Sequence, residues 1–167
     1  MAWRPMTAAD LPELARIADL VHVDLPERPS VLAERLRLFP DGCLMADGGY
    51  AIAHPSRLGC PPPLDTLLGT LPEDADALHL HDVALLPALR GRGLGGAAVA
   101  RLMQVATGCG LTRATLIAVH GTLPYWARFG FREAAAAVSS YGADAIYMVR
   151  AARPSPQPSP AMREREK

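Results

Sequence analysis

Apolar residues recur along this chain at two periods, and the alternation of those periods predicts an α/β order of elements. Leu11, Leu14, Ile17, Ala18 and Val21 fall at helical spacing behind Thr7, a residue type suited to a helix N-cap. Ser30 stands as the cap of a second helix carrying Val31, Leu32, Leu36 and Phe39, stopped by Pro40-Asp41-Gly42. Short apolar runs at 43–46 and 50–54 flank Asp47-Gly48-Gly49, a hairpin signal. A long apolar run at 78–86 predicts a central strand, and 94–107 a helix ended by Gly108-Cys109-Gly110. Further strands are expected at 3–6, 114–119, 131–137 and 145–150.

Two stretches stand outside this pattern. Residues 55–76 form a proline-rich segment with Pro61-Pro62-Pro63 at its centre, and a connection this long inside a compact domain is usually functional or mobile. From Ala151 the composition changes to a Pro/Ser-rich and then charged run, RPSPQPSPAMREREK, which cannot pack a core. The expected organisation is one domain over 1–150 and a disordered tail over 151–167.

Charge changes the picture locally. The 17 basic and 17 acidic residues cancel, which argues against a general nucleic-acid binder. Yet 83–132 carries Arg90, Arg92, Arg101, Arg113, Arg128 and Arg132 with no carboxylate, an excess suited to a polyanionic ligand, although some of these arginines are expected on solvated helix faces. Cys43, Cys60 and Cys109 are odd in number and lack metal-ligand spacing, so they read as reduced thiols of a cytoplasmic protein with no metal. No run is long enough to span a membrane, and no membrane or nucleic-acid partner is expected.

The most informative stretch is 83–96, VALLPALRGRGLGG, where a strand meets a glycine-rich turn and then a helix. Such a turn lets backbone N–H groups approach an anion at the positive end of the helix dipole. Gly91, Gly93 and Gly96 satisfy the G-x-G-x-x-G dinucleotide fingerprint, but that site also needs an acidic residue about 20 positions on. None occurs between Asp82 and Glu133, so a nicotinamide-dependent oxidoreductase is disfavoured.

Arg90-Gly91-Arg92-Gly93-Leu94-Gly95 also fits [Q/R]-x-x-G-x-[G/A], and there the chain closely resembles the GNAT superfamily of acyl-CoA-dependent N-acyltransferases. A second block, LPYWARFGF at 123–131, resembles the family's later F-Y-x-x-x-G-F helix, and the two motifs stand in the right order. The resemblance covers residues 2–150. It implies an α/β (α+β) GNAT fold: a mixed, mostly antiparallel, splayed sheet of six to seven strands flanked by about four helices. It implies acetyl-CoA as co-substrate, its pyrophosphate cradled by the amides of Arg90, Gly91, Arg92, Gly93, Leu94 and Gly95. Its pantetheine arm and thioester would lie on the strand residues Val83, Ala84 and Leu85, with Val83 and Leu85 supplying the free N–H groups. The connection at 55–76 is commonly short in the family, so it reads here as an insertion beside the acceptor cleft, a wall, a lid or an excursion without a role.

Acyl transfer to an amine needs a proton acceptor, because an alkyl ammonium has a pKa near 10.4 in water. In His79-Leu80-His81-Asp82, the strand period puts His79 and His81 on one face and Asp82 on the other. This segment resembles the paired-histidine strand of serotonin N-acetyltransferase, which makes His81 and His79 the base candidates, with Asp82 competing. The thiolate is where the chain departs from its relatives: the usual tyrosine place holds Trp126, whose N–H is no acid. Either Tyr125 reaches through a shifted helix, or Tyr141 supplies the hydroxyl, or the thiolate leaves unassisted. His120 stands where relatives often carry an asparagine, either touching the cofactor or lying at the surface.

The acceptor is expected to be a primary amine of a small molecule or protein, to which Asp24, Glu27, Glu34, Asp65, Glu73, Asp74 and Asp76 are suited by charge. The reaction expected is direct attack in a ternary complex. Rival readings are a catalytically weak CoA-binding regulator and an acyltransferase using a longer acyl chain. The sequence does not set the oligomeric state, and a homodimer is open as the commonest outcome among oligomers.

Overall fold

The computed structural model describes residues 2–153. Its elements in chain order are β1 (Arg4–Pro5), α1 (Leu11–Val21), α2 (Pro29–Leu38), β2 (Cys43–Ala46), β3 (Gly49–Ser56), β4 (Ala77–Leu85), α3 (Leu94–Gly108), β5 (Arg113–Ala118), α4 (Leu123–Ala127), β6 (Arg132–Glu133) and β7 (Ile146–Ala151). The strands form one sheet in the order β1-β2-β3-β4-β5-β7-β6, and only β4 and β5 run parallel. This is the mixed, mostly antiparallel sheet expected.

The sheet is sandwiched between helices. Leu14 and Ile17 of α1 and Leu32 of α2 pack with Tyr50 and Ile52 of β3 on one face. Ala98, Val99, Leu102 and Ala106 of α3 pack with Ala51, Ala53, Leu78 and Leu80 on the other. Along β3 the alternation is the simple two-residue period of a strand.

Along β4 it is broken. Leu78 and Leu80 face α3, whereas Ala84, at the same parity, joins the α1/α2 side. The register shows why: Ile52 pairs with Asp82 and Ala53 with Leu80, leaving His81 as the extra residue of a β-bulge. The bulge moves Asp82 onto the face that carries His79, which overturns the expected split of Asp82 from the histidines. A strict period of two assumes an unbroken ladder.

Beyond the bulge the sheet opens. β4 pairs with β5 only from Ala77↔Arg113 to Leu80↔Leu116, so 81–85 and Ile117–Ala118 diverge. The Leu86 N–H bonds the Gly48 carbonyl at 2.9 Å, which makes Tyr50↔Ala84 a hydrogen-bonded pair in register. Val83 and Leu85 therefore turn their N–H and C=O groups away from β3 into the opening.

Several boundaries differ from expectation for local reasons. Thr7 and Asp10 form a capping box around a 3-10 turn at Ala8–Asp10, one turn ahead of α1. Arg28, not Ser30, is the cap residue of α2, because Pro29 supplies a preset first-turn φ. The expected strand 131–137 is reduced to Arg132–Glu133. The last strand runs through Ala151, and Ala152 is buried, so the fold outlasts the expected 150/151 boundary; the expected tail falls largely at 154–167, outside the described residues. No helix among the described residues is long and apolar enough to cross a membrane.

Candidate functional site

The opening between β4 and β5 is one end of a cleft of about 900 Å³ that runs from the glycine turn to the α1–α2 connection. Its two ends are built differently.

At the first end the chain supplies mostly backbone. Gly91 and Gly93 have φ of +80° and +77°, left-handed values that a glycine adopts without strain. Gly93 ends the turn and α3 starts at Leu94. The N–H groups of Gly91 through Gly96 make no hydrogen bond to another described residue, a row of free donors at a helix N-terminus. The Arg90 N–H is excluded from this row, since it bonds the Pro87 carbonyl at 3.2 Å. Of the six arginines in 83–132, only Arg90 and Arg128 line the cleft; Arg101 instead holds the Trp3 carbonyl at 2.6 Å.

Tyr125 and Trp126 share the wall beside this turn. A Cβ on Gly95 would run into the Tyr125 hydroxyl, so that hydroxyl rests on the first turn of α3. Burial pushes the Tyr125 pKa up, keeping it a neutral donor. Trp126 turns edge-on to the buried Phe131 ring at 6.2 Å. The Tyr141 hydroxyl is committed elsewhere: it donates to the Pro62 carbonyl at 2.8 Å. Thus Tyr125, and not Tyr141, has its hydroxyl beside the turn.

At the second end the chain supplies side chains in two crossed pairs. His81 of β4 meets Glu27 of the α1–α2 connection (Nε2–Oε1 2.7 Å), and Asp82 of β4 meets His22 of the same connection (Oδ1–Nε2 2.8 Å). The Tyr50 hydroxyl donates to the other oxygen of Asp82. Burial pulls the Asp82 pKa up, but the His22 charge and both hydrogen bonds outweigh it and hold the carboxyl below its usual range. Burial likewise pulls His22 down, yet Asp82, with Glu27 and Asp24 behind it, leaves the imidazole raised above 6.5.

His79 does not reach this site. It is fully buried, lies against Thr115 Oγ1 at 2.9 Å, and burial holds it neutral, its pKa pushed well below 6.5. Behind it sits His54, pushed down to about 3 by burial, the three imidazole centroids of His54, His79 and His81 lying 5.6–6.3 Å apart. Among the described residues no group of His, Cys, Asp or Glu is placed to hold a metal.

The 57–76 connection closes this end. Glu34 accepts the Leu68 and Gly69 N–H groups, buried Arg35 donates to the Thr66 carbonyl, and Glu27 takes the Asp65 N–H, so Leu64 stands in the cleft wall. Of the acidic residues expected to greet an amine, Glu27, Glu34 and Asp65 all hold this strap, Asp74 pairs with Arg57, and Asp76 accepts the Leu58 N–H. Of that set Glu27 alone lines the cleft, and among the described residues Asp82 is the other carboxylate that does. His120, with φ of +55°, lines it too and pairs with Asp24 at 3.2 Å.

The sequence model of the acetyltransferase (GNAT) family matches residues 39–131, more than half of the chain. The chain belongs to the GNAT family. It is an acyltransferase, and the matched span contains the bulge, the splay, the glycine turn and α4. Among solved structures it is similar to the loading GNATL domain of CurA from Lyngbya majuscula (TM-score 0.76, 13% identity, 90% of this chain and 97% of that one). It is also similar to the ribosomal-protein-S18-alanine N-acetyltransferase from Escherichia coli (0.62, 18%, 93% and 96%) and to Rv2747 from Mycobacterium tuberculosis in complex with CoA (0.63, 18%, 90% and 99%). At such identities the likeness speaks for the fold. Comparison with curated protein sequences finds no match.

Within this GNAT frame the sequence located the turn, the splayed strand and His81, but missed His22 and Tyr50. Nothing local marks them: His22 is 60 residues from Asp82, and the strand bulge that joins them has no sequence signal of its own.

Proposed function

We propose that this acyltransferase moves an acetyl group from acetyl-CoA to a primary amine by direct attack in a ternary complex. The observation that carries this reading is the splay itself. Unpaired Val83 and Leu85 backbone groups lie between a row of free N–H donors and a floor of imidazole–carboxylate pairs.

The Gly91–Gly95 amides, with the Arg90 side chain, suit the CoA pyrophosphate; Arg92 does not line the cleft and serves as an outer charge. Val83 and Leu85 suit the pantetheine arm and the thioester oxygen, a donor aimed at developing charge being worth about 3 kcal/mol of barrier. The Ala84 N–H is turned toward β3, so Ala84 contributes position only. Tyr125, neutral and seated on Gly95, is the group that protonates the leaving thiolate. The amine proton falls to the imidazole–carboxylate floor, to which His22 and His81 belong and His79 does not. The cleft carboxylates Glu27 and Asp82 favour an unsubstituted cationic amine over an acidic amino acid.

Calorimetric titration with acetyl-CoA, with NAD as control, tests the cofactor half. Saturable binding of acetyl-CoA alone supports it, and no binding sinks it. Thiol release across a panel of primary amines tests the acceptor half.

A further inference from the structure

The floor of the cleft holds two imidazoles at hydrogen-bond distance from carboxylates, and their surroundings are not equivalent. The His81 side chain is 1% exposed, its Nε2 is covered by Glu27, and its Nδ1 is buried without a partner. His22 is 20% exposed and lines the same cleft. Its Nε2 faces Asp82, and its Nδ1 bonds to no described residue. Asp82, an acceptor only, requires the proton on the nitrogen it touches, so neutral His22 carries Nε2–H and presents an Nδ1 lone pair. Tyr50, donating from β3, fixes the carboxylate that fixes the ring.

We propose that His22 is the residue that takes the proton from the acceptor amine, with Asp82 and Tyr50 as its positioning residues and the Glu27–His81 pair holding the wall beside it. This rests on the amine-acylating reading above. The acceptor reaches the cleft as an ammonium and loses one proton to solvent. Its nitrogen attacks the thioester carbonyl carbon, an N–C bond forms and the C–S bond breaks. The second N–H proton passes to His22 Nδ1, the sulfur leaves as a thiol with a proton from Tyr125, and His22 returns its proton to the tyrosinate through the cleft water. One proton is released in all.

The charges that face His22 fit the task. Asp82 and Tyr50 stand beneath it, Asp24 and Glu27 flank it on its own connection, and Asp19 of α1 lines the small cavity it shares with them. His81 lies beside Asp82 on β4, and His120 comes from the far side of the opening to pair with Asp24. Among the described residues no arginine or lysine lines the cavity under the ring. The negative surround outweighs burial and raises the His22 pKa above its usual 6.5, so the rate rises with pH through that raised pKa.

The test uses His22→Gln and Asp82→Asn in the full chain, with acetyl-CoA and 2-phenylethylamine, n-butylamine and a lysine-bearing peptide as probes. Calorimetry reads acetyl-CoA affinity and thiol release reads turnover from pH 5.5 to 9. The proposal expects His22→Gln to keep its acetyl-CoA affinity within twofold, to lose at least about 100-fold in kcat/KM, and to lose the rising limb of the pH profile. Asp82→Asn keeps the shape of the carboxylate and lets the limb move to lower pH, which a purely structural role does not do. His22→Gln within threefold of wild type, or with an unchanged limb, overturns the assignment and leaves the amine reading standing. Wild type that binds acetyl-CoA but acetylates none of the probes overturns both. If His22→Gln fails to fold, the Asp82→Asn limb decides alone: unmoved, it overturns the assignment.

Discussion

The two ends of the cleft meet different physical demands. The glycine-turn end is made of consecutive residues, Arg90 to Gly96, and of backbone N–H groups whose polarity needs no side chain and does not titrate. The other end is made of single side chains from the α1–α2 connection, α2, β3 and β4, which also hold backbone N–H groups of the 57–76 strap, and it depends on buried ionisable groups. A site of the first kind is fixed by local conformation and fails when a backbone angle fails. A site of the second kind is fixed by mutual charge and fails when one partner or one proton changes.

That contrast predicts its own largest effect, on pH. His54 and His79 stay neutral when buried, with pKa values pushed down to about 3 and well below 6.5 respectively, while the unfolded chain protonates both at 6.5. Folded pKa values below the unfolded value mean that the unfolded state binds more protons as pH falls. Stability is therefore complete above 6.5 and is lost below it, at about 1.4 kcal/mol per histidine per pH unit. From the His54 share alone, urea unfolding should show about 2 kcal/mol less stability at pH 5 than at pH 7.5; His79 adds a loss of the same sign, and His54→Leu should remove the His54 share of the slope. A flat profile would remove the buried-imidazole account.

Next in size is the strap. Glu34→Ala removes the acceptor of two backbone N–H groups and the partner of Arg35, itself 0% exposed. Leaving a buried guanidinium without its carboxylate costs about 3 kcal/mol. Denaturant titration should show that loss, with acetyl-CoA affinity little altered. Equal losses of affinity and stability would erase the distinction between the two ends. Gly93→Ala is the reverse experiment. A Cβ there meets nothing within 4 Å, so the whole cost is the left-handed φ of +77°, about 1–2 kcal/mol. Relaxation of that angle turns the N–H row away from the anion, and calorimetry should show acetyl-CoA affinity reduced about tenfold, while the amine KM stays put.

The same difference decided what could be read from the sequence. Gly91, Gly93, the α3 pattern and the hairpin at Asp47-Gly48 are local signals; they placed the family correctly and put the glycine turn between β4 and α3. His81 was brought to the cleft as its strand suggested, but the strand period did not show that His79 is buried away from it, and it misplaced Asp82, since the bulge at His81 arises from pairing with β3. His22 lies just past the end of α1, an ordinary polar position until β4 is folded against it. Glu34 read as a carboxylate awaiting an amine because nothing in the sequence reveals that Leu68 and Gly69 reach it first.

The smallest expected effect is also the most discriminating between the two ends. Tyr50→Phe removes one hydroxyl that touches nothing at the glycine turn, so acetyl-CoA affinity should not move. Burial holds the Tyr50 pKa well above 10, and the hydroxyl is a permanent donor that shares the charge of Asp82 with His22. Without it, the carboxylate bears more fully on the imidazole, and the His22 pKa rises further. The rising limb of kcat/KM then moves to higher pH, opposite to the shift expected of Asp82→Asn, and stability falls by about 1 kcal/mol, the worth of one hydrogen bond. Opposite shifts from two neighbours of one imidazole are what a titrating His22 requires. Shifts in the same direction would mean that the limb belongs to another group.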